Sequence, residues 1–254
     1  MTFLYIRSAG FGEPQGLCGG TLIDQDTILT AAHCFAKPIL PSAILAHIRR
    51  HNLSRTAEEE DGDVVGVSDI YLHPDWNMRT LTNDGSESFG VQKSIEIVLN
   101  HCFVVAILKL ARPTHVPASI SLDAGETLRP GLVVRAMGWG LNSELRHTQT
   151  LQQVDLEVFS GGKCLSEYSK QLPTFDPHVA ICVGTKGGGK NVCFGDSGGP
   201  LITMTKNGPV LVGTTSYGAS CNPAIPAVFA RIDVKEAWIS QFMKQADNEN
   251  SDNP

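Results

Sequence analysis

Short apolar, β-branched runs recur along the whole chain, each bounded by turn residues. Gly20-Thr21-Leu22-Ile23, Thr27-Ile28-Leu29-Thr30, Val133-Val134-Arg135-Ala136-Met137, Val154-Asp155-Leu156-Glu157-Val158, Val210-Leu211-Val212-Gly213-Thr214 and Ala227-Val228-Phe229-Ala230 are all of strand length. Branching at Cβ restricts a side chain in a helix but suits a pleated surface, so such runs favour strands. Arg129-Pro130-Gly131 and Asn207-Gly208-Pro209 are turn signals between them. With 25 glycines and 14 prolines in 254 residues, the composition supplies the turns that many short strands require and argues against a helical bundle.

Helical period is clear only near the end. Val234, Trp238 and Phe242 lie four apart, with Ala237 on a neighbouring row, and Asp233 followed by Glu236 predicts a capped start. A helix over 233–246 packing this stripe on the body is expected, then a polar, disordered tail over 247–254. A weaker helical signal begins near Gly162-Lys163-Cys164-Leu165. Residues 54–63, with Glu58-Glu59-Glu60-Asp61, read as a solvated turn, with a calcium loop as the alternative.

Seven cysteines are present: Cys18, Cys34, Cys102, Cys164, Cys182, Cys193 and Cys221. Six can pair, which implies an oxidising compartment and a secreted, extracellular protein. No signal peptide is visible at Met1-Thr2-Phe3-Leu4-Tyr5-Ile6, so the true start is expected to lie upstream. No run reaches the length of a membrane-spanning helix. The net charge of −6, without a basic stripe, argues against nucleic acid as a partner.

Two motifs carry chemistry. In Gly195-Asp196-Ser197-Gly198-Gly199-Pro200, glycines surround a hydroxyl with little bulk, as an exposed nucleophile needs. The backbone N–H groups of Gly195 and Ser197 are candidates to receive an oxyanion. In Thr30-Ala31-Ala32-His33-Cys34, small residues precede a histidine, the usual base near neutrality. The chain has eight histidines; His47, His51, His73, His101, His115, His147 and His178 have no comparable context and are too dispersed to suggest zinc.

These motifs resemble those of the trypsin/chymotrypsin-like serine proteases. So do Leu17-Cys18-Gly19-Gly20-Thr21-Leu22-Ile23, Met137-Gly138-Trp139-Gly140, Thr215-Ser216-Tyr217-Gly218 and the Trp-bearing C-terminal segment. The resemblance covers nearly the whole chain. It implies an all-β fold of two packed six-stranded antiparallel β-barrels with a C-terminal helix, the first barrel over 1–122 and the second over 123–232. It implies a serine endopeptidase with Ser197 as nucleophile and His33 as general base and acid. It further implies the pairs Cys18–Cys34, Cys164–Cys182 and Cys193–Cys221, leaving Cys102 over. No metal or organic cofactor is required. The expected partners are protein or peptide substrates and proteinaceous inhibitors, with no membrane and a monomeric state.

The third member of the triad is displaced. In the family an Asp opens the strand that here reads Val105-Ala106-Ile107-Leu108-Lys109-Leu110, and Val104 occupies its place. Asp84, which ends Leu81-Thr82-Asn83-Asp84, completes the family pattern if joined directly to Val105. Residues 85–104, which include Cys102, thus read as an insertion: either a short in-frame retained intron or a genuine surface loop. The 17 residues before Cys18 lack the Ile-Val-Gly-Gly-type start whose amine, in the family, pairs with the Asp before the nucleophile, here Asp196. Asp196 is therefore expected to lack its partner and to leave the pocket poorly ordered.

By resemblance the specificity pocket has Asn191 at its base and Gly218 and Ala227 on its walls, with Ser216, Tyr217 and Gly218 pairing with substrate backbone. Asn191 carries no charge, so an uncharged side chain is expected there rather than Lys or Arg. Two other readings remain: a protease homologue that binds without cutting, and a cytoplasmic structural β-protein with free thiols.

Overall fold

The computed structural model describes residues 1–7, 14–35, 39–76, 105–168, 175–218, 221 and 224–244. Two closed, six-stranded antiparallel barrels form the body. The first contains β1 (Thr2–Arg7), β2 (Pro14–Asp24), β3 (Thr27–Ala31), β4 (Ile44–Ile48), β5 (Asp63–Leu72) and β6 (Val105–Leu110). Its hydrogen-bonded order is β1-β2-β3-β6-β5-β4, and β4 closes on β1.

Next comes β7 (Ser121–Leu122), a short strand running parallel to one edge of the second barrel. That barrel contains β8 (Val133–Gly138), β9 (Gln152–Val158), β10 (Ala180–Gly184), β11 (Pro200–Thr205), β12 (Gly208–Gly218) and β13 (Ala227–Arg231). Its order is β11-β8-β9-β10-β13-β12, closed by the β11–β12 pairing. Helix α1 (Gly161–Tyr168) lies between β9 and β10.

The sequence pattern dictates which strands face what. In β4 the alternation puts Ile44, Ala46 and Ile48 inside while Leu45 and His47 are half-covered. Strands β3 and β6 are apolar on both faces because both are buried. Ile28, Ala106 and Leu108 fill the first barrel. Leu29, Val105 and Ile107 point the other way and pack with Leu211, Val228 and Ile239 of the second half. Each such fully covered aliphatic side chain contributes about 1.5–3 kcal/mol, so the pair β3–β6 is where the barrels are joined.

Two expectations are corrected. The C-terminal element is a 3₁₀ turn (Asp233–Lys235), a short helix α2 (Glu236–Ile239) and a second 3₁₀ turn (Ser240–Phe242). Asp233 does not cap it; its carboxylate is bound by the Arg231 guanidinium. The tighter opening turn also rotates the stripe. Val234 is 46 % exposed, while Lys235, 8 % exposed, is buried and bonded to Asp75.

The acidic turn over Glu58–Glu60 is not fully solvated either. Glu60 accepts hydrogen bonds from Arg50 Nε (2.9 Å), the His51 N–H (3.0 Å) and the Asn52 N–H (2.8 Å). The Arg50 and Glu60 side chains are 4 % and 8 % exposed, a buried ion pair at the foot of the first barrel. Its oxygens thus serve three N–H donors of the protein itself.

Candidate active site

The nucleophile turn is built by glycine and locked by its neighbours. Gly195 (φ 95°) and Gly198 (φ 78°) occupy the left-handed region that side chains rarely adopt. The N–H of Asp196 donates to Cys193 O (3.0 Å), and that of Gly199 to Asp196 O (2.9 Å). The Gly198 N–H donates to Thr215 O, and the Thr215 N–H to Gly199 O, both at 2.8 Å, which ties the turn to β12. The N–H groups of Gly195 and Ser197 have no acceptor among the described residues. A pair of unspent donors on either side of a hydroxyl is what a developing oxyanion needs.

The same turn is docked onto the first barrel. The Gly19 N–H donates to Ser197 O (2.7 Å), and Thr30 Oγ1 donates to Gly19 O (2.8 Å). A Cβ on Gly198 would sit 2.5 Å from Gly19 O and 3.1 Å from Ala31 N. Ala31 ends β3, and His33 lies two residues on, in the 3₁₀ turn Ala32–Phe35. The disulfide Cys18–Cys34 staples this turn to β2, so the elements bearing His33 and Ser197 are held against each other.

The electrostatics of the site are uneven. His33 is half-exposed by surface, yet the protein encloses its ring closely enough that burial pulls its pKa down to about 4. Among the described residues, burial is the one cause of this shift. Asp84, Cys102 and the whole segment 85–104 lie outside the described residues, as does His101.

Asp196 behaves differently. Its carboxylate accepts from the N–H groups of Gly140 and Cys193, each at 2.8 Å. Burial still pushes its pKa up, partly offset by those two N–H groups and by His147. A Cβ on Gly140 would lie 2.5 Å from its carboxyl carbon, which explains the glycine after Trp139.

A cavity of about 610 Å³ lies beside this carboxylate, lined among others by Gly140, Leu141, Asn191, Val192 and Cys193. Asn191 Nδ2 donates to Ile225 O (2.7 Å), and its Oδ1 accepts from the Val192 N–H (2.9 Å). Ser216 is buried in β12. Tyr217 and Gly218 pair their backbone with Val228 and Ala227, and Ala227 is fully buried. The bridges Cys164–Cys182 and Cys193–Cys221 complete the three disulfides expected by resemblance.

Sequence reasoning overlooked His147. Its ring abuts the nucleophile turn: a Cβ on Gly195 would meet His147 Cε1 at 2.9 Å. The available signal was the turn sequence Asn142-Ser143-Glu144-Leu145, which folds the chain back so that His147 bridges Leu141.

Comparison with known proteins agrees with this architecture. Residues 1–239 match the Trypsin family. Duodenase-1 of Bos taurus is 32 % identical over 250 residues, covering 96 % of this chain and 84 % of its own length. Cathepsin G of Homo sapiens is 34 % identical over 245 residues, covering 96 % and 82 %. Mast cell protease 3 of Ovis aries is 30 % identical over 256 residues, covering 99 % and 86 %. The chain belongs to the trypsin family. Within it the chain is a serine endopeptidase, a hydrolase whose substrates are peptides or proteins.

Proposed function

We propose that the chain cleaves peptide bonds through an acyl-enzyme formed on Ser197. His33 takes the Ser197 proton and returns it to the leaving amine, then repeats both roles with water. Asp84 is the carboxylate that orients His33, and the N–H groups of Gly195 and Ser197 receive the oxyanion. The observation that carries this reading is the docking of the Ser197 turn on Gly19 and Ala31, two residues before His33. Asn191 at the pocket base favours an uncharged side chain before the cut. The three disulfides support a secreted, extracellular site of action. On this reading the functional halves are residues 1–122 and 123–232.

The test is covalent labelling by a serine-directed fluorophosphonate. Ser197→Ala abolishes labelling and lowers peptide cleavage by about 10⁶-fold, as loss of the nucleophile does in related chemistry. Label found on another serine would overturn the assignment. A peptide panel varied at the residue before the cut checks the pocket; strong selection for Arg or Lys refutes the role given to Asn191.

One observation favours a second reading, a homologue that binds without cutting. Among the described residues burial alone acts on His33, which leaves it neutral at pH 7 and a weak base. Deleting residues 85–104 separates the two. Joined to Val105, Asp84 raises the His33 pKa from about 4 and speeds labelling by about 10⁴-fold, the scale of losing the triad carboxylate. A His33 titration by NMR that is unmoved in the deletion variant removes Asp84 from the site.

A further inference from the structure

Between β4 and β5 the chain reads Arg49-Arg50-His51-Asn52-Leu53-Ser54-Arg55. Asn52-Leu53-Ser54 is the one Asn-Xaa-Ser/Thr triplet in the 254 residues, and its middle residue is not proline. Such a triplet accepts an N-linked glycan when a chain passes through a secretory compartment and presents it at the surface. A triplet of this kind also arises by chance. What distinguishes this one is how its atoms are spent.

The backbone of Asn52 is fully engaged. Its N–H donates to Glu60 Oε1 (2.8 Å), and its carbonyl accepts from Arg50 Nη2 (3.2 Å) and from the Arg55 N–H (3.0 Å). The neighbouring residues are tied to the second half. The Leu53 N–H donates to Gln149 O (2.8 Å), the Leu151 N–H donates to His51 O (2.7 Å), and Asn52 forms a β-bridge with Thr150. The segment is held by the buried Arg50–Glu60 pair on one side and by residues 149–151 on the other.

The carboxamide is oriented within this frame. The Ser54 N–H donates to Asn52 Oδ1 at 3.0 Å. A backbone N–H can only donate, so the amide oxygen faces the turn and the NH₂ group faces away from it. Nδ2 has no acceptor among the described residues, yet it is not one of the buried side-chain atoms left without a partner, so it reaches solvent. The turn accounts for Asn52 Oδ1 and for nothing else in the triplet. Any residue but proline supplies the N–H at position 54. The hydroxyl of the exposed Ser54 makes a single long contact, 3.4 Å to Gln149 Oε1. The free amide nitrogen and this loosely held hydroxyl are the two groups that glycan transfer uses.

We propose that Asn52 bears an N-linked glycan. The donor is an oligosaccharide joined through diphosphate to an isoprenoid lipid. Asn52 Nδ2 forms a bond to C1 of the first sugar, and the bond from that C1 to the diphosphate oxygen breaks. The diphosphate leaves with the electron pair, one amide proton passes to base, and no oxidant or reductant takes part. The Ser54 hydroxyl is the group that the transferase reads. This rests on the secretory route, for which the three disulfides are the support. The folded chain accommodates the sugar because the atom that bears it lies outside the hydrogen-bond network. The glycan stands at the seam where residues 51–54 of the first half meet 149–151 of the second.

The test expresses the full chain behind a secretion leader in a eukaryotic host and reads the product by peptide mass spectrometry, with and without a peptide N-glycosidase. One glycan is expected on the peptide that contains Asn52, and its enzymatic release leaves aspartate at position 52. Asn52→Gln and Ser54→Ala each abolish it, while Ser54→Thr keeps it. Ser54→Ala preserves the N–H at position 54 and its bond to Asn52 Oδ1, so a lost glycan reports the hydroxyl rather than a broken turn. Transfer precedes folding, so a variant retained in the cell is read from the cell pellet. A product with its three disulfides formed and Asn52 bare would overturn the site and leave the secretory reading standing. A mass shift that survives Ser54→Ala would place the sugar elsewhere and overturn it too. Chain isolated from its own source with free thiols and a bare Asn52 would sink the secretory reading and the site together.

Discussion

Glu60 and Asp63 of the first barrel and Asp196 of the second are held by different means. In the first, Glu60 and Asp63 each meet a guanidinium. Asp63 is gripped by both Arg112 terminal nitrogens, at 2.7 and 2.8 Å, and by the Thr114 hydroxyl at 2.9 Å. Arg112 holds the Asp63 pKa down to about 2. For Glu60, burial pushes up, but the N–H groups of Asn52 and His51 and the Arg50 side chain outweigh it, leaving a pKa of about 2. In the second barrel Asp196 meets two backbone N–H groups, and burial wins. Backbone N–H groups and a neighbouring guanidinium both favour the ionised form; Glu60 has both kinds of partner, whereas Asp196 has two N–H groups and no guanidinium against its burial. The acids of the first barrel are architectural and of settled charge. The acid next to Ser197 is held in place with its charge open to adjustment.

That contrast can be broken by substitution. The largest effect is expected at Glu60→Gln, which leaves the Arg50 guanidinium buried without its counter-ion and lowers stability by about 3–5 kcal/mol in urea unfolding. An unchanged midpoint would show that the ion pair is not structural. Asp196→Asn costs about 1 kcal/mol, since one backbone N–H loses its acceptor while a disfavoured charge is removed. A loss as large as that of Glu60→Gln would erase the distinction between the barrels.

The smallest effect is the pH dependence, and its sign differs between the two regions. Glu60 and Asp63 bind protons less tightly when folded, so their contribution is complete above the ordinary values of 4.5 and 3.8 and is lost as pH falls toward about 2. Asp196 binds its proton more tightly when folded. Its contribution is complete below 3.8 and is lost as pH rises through its raised value. The stability of the unaltered chain relative to Asp196→Asn therefore declines as pH rises from 3.5 to 7. Urea midpoints at the two pH values measure it, and a constant difference would remove Asp196 from the contrast.

Much of this arrangement was legible in the sequence. Strand-length runs marked the β elements, and Gly195-Asp196-Ser197-Gly198-Gly199 declared its turn because two of its glycines have no substitute at positive φ. The disulfide pairs came through family resemblance and hold in the structure. What stayed hidden were side-chain competitions across space. Arg231 claims Asp233 from two residues away, so a capping pattern yields no cap. Glu60 reads as one of four consecutive acids, yet three donors from Arg50, His51 and Asn52 bury it. His147 lacked any local motif, because it meets Gly195 only when the chain folds back through the Leu141–His147 bridge.

The last turn of the chain returns from the second barrel to the first. Lys109 of β6 donates to Asp26, Thr27 and the Phe242 carbonyl. Phe242 packs at a tilt against Tyr71 and Trp238 edge-to-face against His73, Lys235 binds Asp75, and the Lys244 N–H donates to Asp24. Two halves joined only in series could come apart one at a time. Here the chain makes a circuit, so opening either half forfeits the contacts of both. The two halves are thereby tied together by a segment that follows both the Thr30–Cys34 and the Gly195–Pro200 stretches in sequence.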